Sequence, residues 1–456
     1  MFQKFLPLIL WLLFAALLVI LWCFPPDFRH TAQLFESVFP VLLLVNLFFL
    51  LYSLYAAVYA CIYRPAPLLK DSELAGCTVI VPAYNEGEHV RETLKSLLDS
   101  DFPADKLEII AVNDGSKDDT WDWIQTAVQE SGGRIRAVNL PRNGGKKHAL
   151  YQGMQQAKYD IVVTVDSDSI ICPDSLRSMC SAFADPRVGG AAGSIRVKNI
   201  ADGILPKMMD IGFLFGFEVV RSAQSVIGFV TCTPGALSAY RLSMVRPLLR
   251  DWLNQTFLGV PATIGEDRAI TTMILRRGYR VVYQSTAIAY TCVPRTYLKF
   301  ARMLLRWNRS DIRENGLVAL YAFRCIPRNF IEFGRQLHTL MLISNTIIPA
   351  LLPLLVAATL LTSPVDFLLS LYAGLAFGCV CALIPVILYA KRISFLRSVW
   401  GLFFAVYAIF ALSWIPLYSF LTLRNSKWLT RELPEPGKHP AKTPRSRNPR
   451  HQPASL

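Results

Sequence analysis

Long stretches without charge flank one long mixed stretch in this chain of 456 residues. An α-helix rises ~1.5 Å per residue, so about 20 apolar residues cross the roughly 30 Å hydrocarbon core of a bilayer. The pattern predicts an integral membrane protein, with two transmembrane helices in residues 1–63 and a transmembrane or re-entrant region in 336–423. The windows without Asp, Glu, Lys or Arg are 5–23, 37–63, 336–365, 367–390 and 398–423.

Short apolar runs separated by helix-like segments fill the first part of the mixed stretch. The runs are Cys77–Val81, Ile109–Val112 and Ile161–Val165, with helix-like segments at about Glu88–Asp99 and Thr120–Glu130. Strands that are apolar at nearly every position are typical of a parallel sheet covered on both faces. The alternation predicts a doubly wound α/β domain in residues 64–294.

Polar residues follow each of the three apolar runs, at Pro82–Glu86, Asn113–Ser116 and Asp166–Asp168. Open α/β sheets bind ligands at the carboxyl ends of their strands, so these residues are expected to meet at one edge. Any one segment could be an ordinary turn or helix cap. Three of them at the same edge favour a binding site.

The pair Asp166 and Asp168 suggests a cation site. Two carboxylates on adjacent backbone suit Mg²⁺ or Mn²⁺, which keeps some waters and takes phosphate oxygens. Such a metal would neutralise charge on a leaving diphosphate. Gly144–Lys147 is predicted to be a flexible basic loop that could add charge to the same phosphates, although such loops are usually only solvated. It lacks the spacing of a P-loop.

Two further charged segments have both a chemical and a structural interpretation. Glu266, Asp267 and Arg268 are consecutive, and Asp267 is our candidate general base for a sugar hydroxyl, with a surface ion pair as the alternative. Basic residues recur at 295, 299, 302, 306 and 309, on one stripe of a helix. This stripe predicts amphipathic interfacial helices over 295–335, and such spacing by itself gives Arg306 and Trp307 no catalytic role.

Charge is unevenly distributed along the chain. The net charge is +14, and the segment 424–456 contributes eight Lys or Arg against two Asp or Glu. A basic, proline-rich tail beside an apolar segment is typical of the anionic cytoplasmic membrane surface, and we expect no nucleic-acid partner. The ten cysteines lack paired spacing, which favours reduced, buried thiols and a cytosolic domain. Composition excludes a soluble enzyme, a disordered chain and a secreted disulfide scaffold.

Taken in order, these segments resemble those of membrane-embedded family-2 glycosyltransferases, specifically the processive β-glycosyltransferases. That group includes hyaluronan, cellulose, poly-N-acetylglucosamine and chitooligosaccharide synthases. The likeness runs from about Thr78 to Asn315, recurs at Trp428–Arg431, and is strongest to hyaluronan synthases. The segments that carry it read EVVRSAQ (218–224), CTPGALSAYR (232–241), NQTFLGVP (254–261), IGEDR (264–268) and YQSTA (283–287).

The resemblance implies a GT-A-like, Rossmann-like fold between membrane helices and a donor site for a UDP-sugar. The uridine end would lie at the ends of the first two strands, Lys146 and Arg306 would meet the diphosphate, and Asp166 with Asp168 would hold the sugar nucleotide and the metal. Trp428 and Thr430 would belong to a gating segment that closes over the donor. The residues implied on the donor side are Tyr84, Glu86, Asp114, Lys146, Asp166, Asp168 and Arg431.

The same resemblance implies an acceptor site and a base. Asp267, with Glu266 beside it, would remove the acceptor proton, and Trp307 would stack on the acceptor sugar. Pro234, Gly235 and Leu237 would shape the acceptor pocket. Two departures from the family pattern bear on the polymer rather than on the reaction: Met303 stands where a glutamine is usual, and Cys232–Gly235 reads CTPG instead of CSGP.

The sequence therefore predicts a processive inverting β-glycosyltransferase that polymerises sugars from UDP-sugars into an extracellular polysaccharide and exports it. Membrane lipids and the growing polysaccharide would be its other partners, and the inner or plasma membrane its location, with the catalytic domain and the tail in the cytosol. If the tail lies in the cytosol, one of the apolar windows cannot cross the membrane. We predict that this window is 398–423, because Pro416 would break a membrane-spanning helix there. The alternatives are an enzyme that adds one sugar to a lipid phosphate and, less favoured, a transporter or receptor with a nucleotide-sensing domain.

Overall fold

The computed structural model describes residues 33–362 and 364–426. Its centre is an eight-stranded sheet in the order β3-β2-β1-β4-β7-β6-β10-β5, accompanied by a small two-stranded sheet of β8 and β9. The strands are β1 Cys77–Ala83, β2 Leu107–Asn113, β3 Ile135–Asn139, β4 Ile161–Thr164, β5 Ile170–Ile171, β6 Val188–Val197, β7 Ser238–Arg241, β8 Thr256–Phe257, β9 Val260–Pro261 and β10 Arg280–Thr291.

The sheet is parallel in its first half and mixed in its second. β1 pairs in parallel with β2 and β4, and β2 pairs in parallel with β3. The three predicted strands are confirmed, since they correspond to β1, β2 and β4. The rest of the sheet, for which the sequence predicted no strand direction, is mixed: β7 runs antiparallel between β4 and β6, and β5 runs antiparallel to β10.

Helices cover both faces of this sheet, and the two predicted helices are confirmed at His89–Leu98 and Thr120–Glu130. Seven residues of β1 are buried, which explains why that strand is apolar at nearly every position. The helices up to the end of the sheet are α1 Gln33–Ile62, α2 His89–Leu98, α3 Thr120–Glu130, α4 Lys146–Gln156, α5 Ser175–Ser181, α6 Ile204–Phe215, α7 Ser222–Val226, α8 Leu242–Val245, α9 Leu249–Leu253 and α10 Glu266–Arg276.

A set of mostly apolar helices follows the sheet. Among the described residues, Phe330–Ala358 and Phe395–Leu412 are long and apolar enough, by length and composition, to cross a membrane. The window 5–23 lies outside the described residues, and so do Trp428, Thr430 and Arg431. The helices of this part are α11 Tyr297–Ala322, α12 Phe330–Thr362, α13 Pro364–Arg392, α14 Phe395–Ser398, α15 Trp400–Tyr407 and α16 Trp414–Leu421.

The last apolar window, 398–423, is helical but interrupted. A π-helical turn over Ala408–Leu412 separates α15 from α16. Pro416 lies in the first turn of α16, where a missing N–H costs no helical hydrogen bond, so the interruption precedes the proline instead of coinciding with it. That this window does not cross the membrane stays a prediction.

Side-chain bonds tie the apolar helices to the sheet domain. Tyr389 of α13 donates a hydrogen bond to Asp210 of α6 over 2.8 Å, and Arg392 is ion-paired with Glu218. Arg309 of α11 donates to the hydroxyl of Thr422, just after α16, over 2.7 Å. Helix α11 thus packs between the sheet domain and the last helices.

The cysteines of the described residues are all free thiols. They are not all buried, however. Cys61, Cys292 and Cys325 are exposed, so burial was predicted wrongly for these three.

Candidate active site

The turn after β1 begins the candidate site. Asn85 adopts a left-handed conformation with φ of 51°, which turns the chain sharply after the buried Tyr84. The next residue, Glu86, donates its backbone N–H to the hydroxyl of Thr120 over 2.8 Å, and its carboxylate accepts a hydrogen bond from Ser167 over 3.0 Å. Ser167 follows β4, so this bond joins the ends of two neighbouring strands.

Asp114, at the end of β2, holds the glycine loop that precedes α4. Its carboxylate accepts hydrogen bonds from the backbone N–H groups of Gly144 and Gly145, over 2.9 and 2.8 Å. The side chain is 2% exposed, and burial raises its pKa above the ordinary value while the two N–H groups oppose that rise. Lys146 and Lys147 therefore begin a helix that Asp114 fixes in place, in contrast to the predicted flexible loop.

We expect Gly115→Ala to destabilise the fold more than Gly132→Ala, although both glycines have a similar positive φ. A Cβ at Gly115 would lie 2.6 Å from backbone atoms of Arg142 and Asn143, and φ is +67°. At Gly132 φ is +62° but no atom lies within 4 Å. Thermal unfolding should show a loss of about 1 kcal/mol for Gly132→Ala and about 3 kcal/mol for Gly115→Ala. Equal losses would show that the loop moves aside easily.

Lys146 connects the carboxyl end of β4 with the start of α10. Its ammonium is ion-paired with Asp166 and lies 2.9 Å from Oε1 of Glu266. Burial disfavours the charged form, but the Asp166 and Glu266 carboxylates outweigh it, and the pKa of Lys146 is raised. For Glu266, burial acts to raise the pKa, yet Lys146 reverses the effect and the pKa is lowered. Lys146 is thus a fixed cation between two carboxylates.

Asp267 lies in the first turn of α10, next to this cation. Its carboxylate accepts hydrogen bonds from the backbone N–H groups of Arg268, over 2.8 Å, and of Gly235, over 3.2 Å. Burial, followed by the charge of Glu266, raises the pKa of Asp267 to about 6. A carboxyl group with this pKa can accept a proton near neutral pH. The alternative of a surface ion pair over 266–268 is wrong, since Glu266 is 5% exposed.

Gly235 allows Lys146 and Asp166 to approach the loop before β7. A Cβ at this position would lie 2.5 Å from Nζ of Lys146 and 3.2 Å from Oδ2 of Asp166. Pro234 accepts a backbone hydrogen bond from Leu237 over 3.0 Å, and Leu237 itself is fully buried against Gly193. Leu237 therefore anchors the loop in the protein interior, while Gly235 faces the ammonium group of Lys146.

The structure thus places most of the predicted donor residues along one edge. Asp114 contacts the loop that carries Lys146, and Lys146 contacts Asp166 and Glu266. Arg306 of α11 is close enough for its charge to lower the pKa of Glu266. Asp168 follows Asp166 by two residues, is partly exposed, and accepts a hydrogen bond from Ser169 over 3.4 Å.

Comparison with known proteins identifies the family. Residues 78–245 match the family described as Glycosyl transferase family 2. An N-acetylglucosaminyltransferase of Rhizobium leguminosarum bv. viciae is 32% identical over 368 residues, which cover 80% of this chain and 84% of that protein. A hyaluronan synthase of Streptococcus pyogenes is 33% identical over 361 residues, covering 77% and 82%. This chain belongs to glycosyl transferase family 2.

A solved structure shows the same fold. A mannosyltransferase from Pyrobaculum calidifontis, in complex with GDP-Man and Mn²⁺, superposes with a TM-score of 0.58 at 23% identity, covering 82% of this chain and 98% of that one. The family-2 chain described here is therefore a glycosyltransferase with a GT-A-like α/β fold and a mixed sheet.

The carboxylates of this glycosyltransferase suit a divalent cation whose remaining coordination positions are filled by substrate oxygens. Among the described residues, no group of three His, Cys, Asp or Glu side chains converges to enclose a metal. Asp166 and Asp168 nevertheless offer carboxylates at the carboxyl end of β4, and Mg²⁺ or Mn²⁺ is commonly held by one or two carboxylates plus phosphate oxygens. The donor set therefore suits a metal that arrives with a sugar diphosphate.

Trp307, which the resemblance places on the acceptor side, lies in α11. Trp307 is partly buried, and its ring centroid lies 6.4 Å from that of Phe213 in α6. Met303, at the position where a glutamine is usual, is 7% exposed and packs in an apolar cluster with Phe300 and Ile415. The predicted basic stripe is only partly solvated, because Arg309 is 4% exposed.

The sequence pattern did not reveal a buried polar group beside the site. Lys147 is 6% exposed and donates hydrogen bonds to the carbonyl of Ala262 over 3.1 Å and to Gln255 over 3.5 Å. Gln255 donates to Glu314 of α11 over 3.1 Å. Burial, followed by the charge of Arg313, lowers the pKa of Lys147 to about 8. The only sequence signal was the NQTFLGVP segment, which contains Gln255.

A second buried group joins the two helices that border the site. Arg268 of α10 donates to Asp311 and to Asn315 of α11, each over 2.6 Å. Burial raises the pKa of Asp311 in spite of this arginine. Gly265, before α10, approaches α11 so closely that a Cβ would lie 2.3 Å from Cβ of Ser310. These contacts fix Asp267 relative to Arg306 and Trp307.

Proposed function

We propose that this glycosyltransferase is a processive, inverting enzyme that polymerises sugars from UDP-sugar donors into an extracellular polysaccharide. The relatives named hyaluronan synthase and N-acetylglucosaminyltransferase support UDP-N-acetylglucosamine as a donor, with UDP-glucuronic acid as a second donor if the product is hyaluronan-like. The observation that carries the proposal is the cation Lys146 enclosed by Asp166 and Glu266 directly beside Asp267.

The proposed reaction is a single displacement at the anomeric carbon. Asp267 removes the proton from an acceptor hydroxyl, and the hydroxyl oxygen forms the new bond while the bond to UDP breaks. Because Asp267 has a pKa of about 6, it is largely ionised at neutral pH and can hold that proton transiently. Attack on the face opposite the leaving group inverts the α-linked donor to a β-linked product.

Positive charge on the protein would stabilise the departing UDP. Lys146 is already oriented by Asp166 and Glu266, and Arg306 lies close enough for its charge to act on Glu266, so little reorganisation would accompany the reaction. Asp166 and Asp168 would hold Mg²⁺ or Mn²⁺, which when bound neutralises charge on the diphosphate. The Mn²⁺ and GDP-Man of the Pyrobaculum calidifontis structure support a nucleotide-sugar donor and a divalent metal. Tyr84, Glu86 and Asp114 would then border the uridine.

Acceptor binding and export are proposed for the second half of the chain. Trp307 and the loop with Pro234 and Gly235 would hold the acceptor, and Trp428, Thr430 and Arg431 would close over the donor. The apolar helices Phe330–Ala358 and Phe395–Leu412 support a membrane location. We propose a multi-pass arrangement in which residues 336–423 form the C-terminal membrane region, 295–335 lie at the interface, and the 64–294 domain and the tail face the cytosol.

Product analysis with single and paired donors tests the function. Membranes that contain the protein are incubated with UDP-N-acetylglucosamine, with UDP-glucuronic acid, and with both, and the radiolabelled product is sized. We expect a long polymer from at least one of these mixtures, together with UDP release that depends on divalent metal. A product one sugar longer than a lipid-phosphate acceptor would favour the non-processive alternative, and no sugar transfer from any donor would refute the proposal.

The pH dependence of transfer should show the ionisation of Asp267. Since burial raises its pKa to about 6, the base is lost as the pH falls, and kcat/KM should drop about tenfold per unit below pH 6 and level off above it. UDP release measured between acidic and mildly alkaline pH checks this. Asp122→Asn, on the exposed face of α3, should leave the profile unchanged. A rate that is constant through pH 6 would contradict Asp267 as the base.

A further inference from the structure

A cavity of about 660 Å³ lies at the opposite end of α10 from the catalytic carboxylates. Its walls come from three elements: Asp251 of α9, Arg276 and Arg277 at the end of α10, and Tyr321 with Arg324 near the end of α11. The volume lies within the range of about 300–1,000 Å³ that is typical of small-molecule sites. Arg276 follows Glu266 by ten residues, or about 15 Å of helix, so this cavity is separate from the donor site.

The cavity carries excess positive charge. Arg276, Arg277 and Arg324 are exposed, and in the part of the chain that the structure describes none of the three is ion-paired with a carboxylate. Asp251 supplies one negative charge, and the carboxyl end of α10 supplies about half of another. Three guanidinium groups outweigh both, and guanidinium binds phosphate oxygens in a two-pronged geometry.

An apolar rim adjoins the charged cavity. Leu320 lines the cavity and is 73% exposed, and the exposed Phe323 and Ile326 follow it along the chain. Contiguous exposed apolar side chains beside a charged pocket are unusual for a surface that contacts only water. The rim would suit the hydrocarbon part of a ligand whose phosphate enters the cavity.

We propose that this cavity binds a phosphate ester, at a site separate from the donor and acceptor sites. A phospholipid headgroup and a soluble phosphate ester share this chemistry. Bound phosphate would cross-link the last turns of α10 and α11 through their arginines. The inference does not rest on the proposed function, because it concerns binding at arginines that take no part in the transfer.

Hydrogen exchange on the full-length protein tests the site. The protein is placed in phosphatidylcholine nanodiscs alone, in nanodiscs that also contain phosphatidylglycerol, and in plain nanodiscs with glycerol 3-phosphate in solution. We expect either the anionic lipid or the soluble ester to slow exchange in 273–278 and 320–325, by about tenfold when the probe exceeds its Kd tenfold. Protection by phosphatidylglycerol would identify a lipid headgroup as the source of the phosphate, and protection by glycerol 3-phosphate would identify a soluble ester.

The variants separate this site from general charge effects. Combining Arg276→Gln, Arg277→Gln and Arg324→Gln should abolish the protection, and Arg324→Gln alone should weaken it. The matched control combines Lys95→Gln, Arg134→Gln and Lys158→Gln, which remove the same charge from exposed positions elsewhere, and it should keep the protection. The proposal is overturned if neither probe slows exchange in these segments, or if both arginine variants remain protected like wild type.

Discussion

Asp267→Asn should reduce sugar transfer by about 10³-fold or more while leaving UDP binding measurable. The substitution keeps the size of the side chain, but an amide cannot accept the acceptor proton, and general-base catalysis typically contributes 10²–10⁴-fold. Donor binding should persist because Lys146 remains between Asp166 and Glu266. UDP release and UDP binding, measured on the same preparation, check the two parts of this expectation.

The neighbouring carboxylate and an exposed one serve as controls for this experiment. Glu266→Gln should impair donor binding, because it removes one of the two carboxylates that fix Lys146. Asp122→Asn on α3 should behave like wild type in both assays. If Asp267→Asn transferred sugar at the wild-type rate, another group would have to be the base, and the mechanism above would be wrong.

Lys146→Gln is the second substitution with a large expected effect. It removes the positive charge proposed to face the departing diphosphate, and loss of one preorganised contact of this kind often costs about 10²–10³ in rate. It also leaves Asp166 and Glu266 without their shared cation, at a cost of about 3 kcal/mol in the free energy of unfolding. Thermal unfolding and UDP release check the two effects separately, with Lys95→Gln as an exposed control.

A double variant distinguishes stability from catalysis. Adding Glu266→Gln to Lys146→Gln removes the carboxylate that the first change leaves buried without a partner. The double variant should therefore regain much of the lost unfolding free energy and none of the lost rate. Recovery of both would mean that Lys146 acts only as a structural cation.

Much of the candidate site could be predicted because it depends on local pattern. β1, β2 and β4 are apolar at nearly every position since both faces are covered, and the polar residues after them had to meet at one edge. Asp114 and Asp166 accordingly contact the same glycine loop and its lysine. Asp267 was a candidate base from its own charged segment, but only the resemblance placed it beside these residues, because nothing in the pattern of 264–268 places that segment against β4.

What could not be predicted depends on contacts between distant segments. Strand β7 enters the sheet antiparallel between β4 and β6, and no local pattern sets the direction of a four-residue strand. Lys147 was expected to be solvated like any lysine in a glycine loop, but Gln255 and the carbonyl of Ala262 satisfy its ammonium inside the protein. Such burial becomes visible only when segments more than 100 residues apart are brought together.

The close approach of Gly265 to Ser310, reinforced by the bonds from Arg268 to Asp311 and Asn315, has a mechanical consequence. Helices α10 and α11 are joined at the N-terminal end of α10, next to Asp267, so a displacement of α11 there would also move the start of α10. If α11 lies at the membrane interface as proposed above, a change in its tilt would be transmitted to the Asp267 carboxylate through these contacts. Under that proposal, the lipid environment would affect the position of Asp267 relative to Lys146 and Asp166.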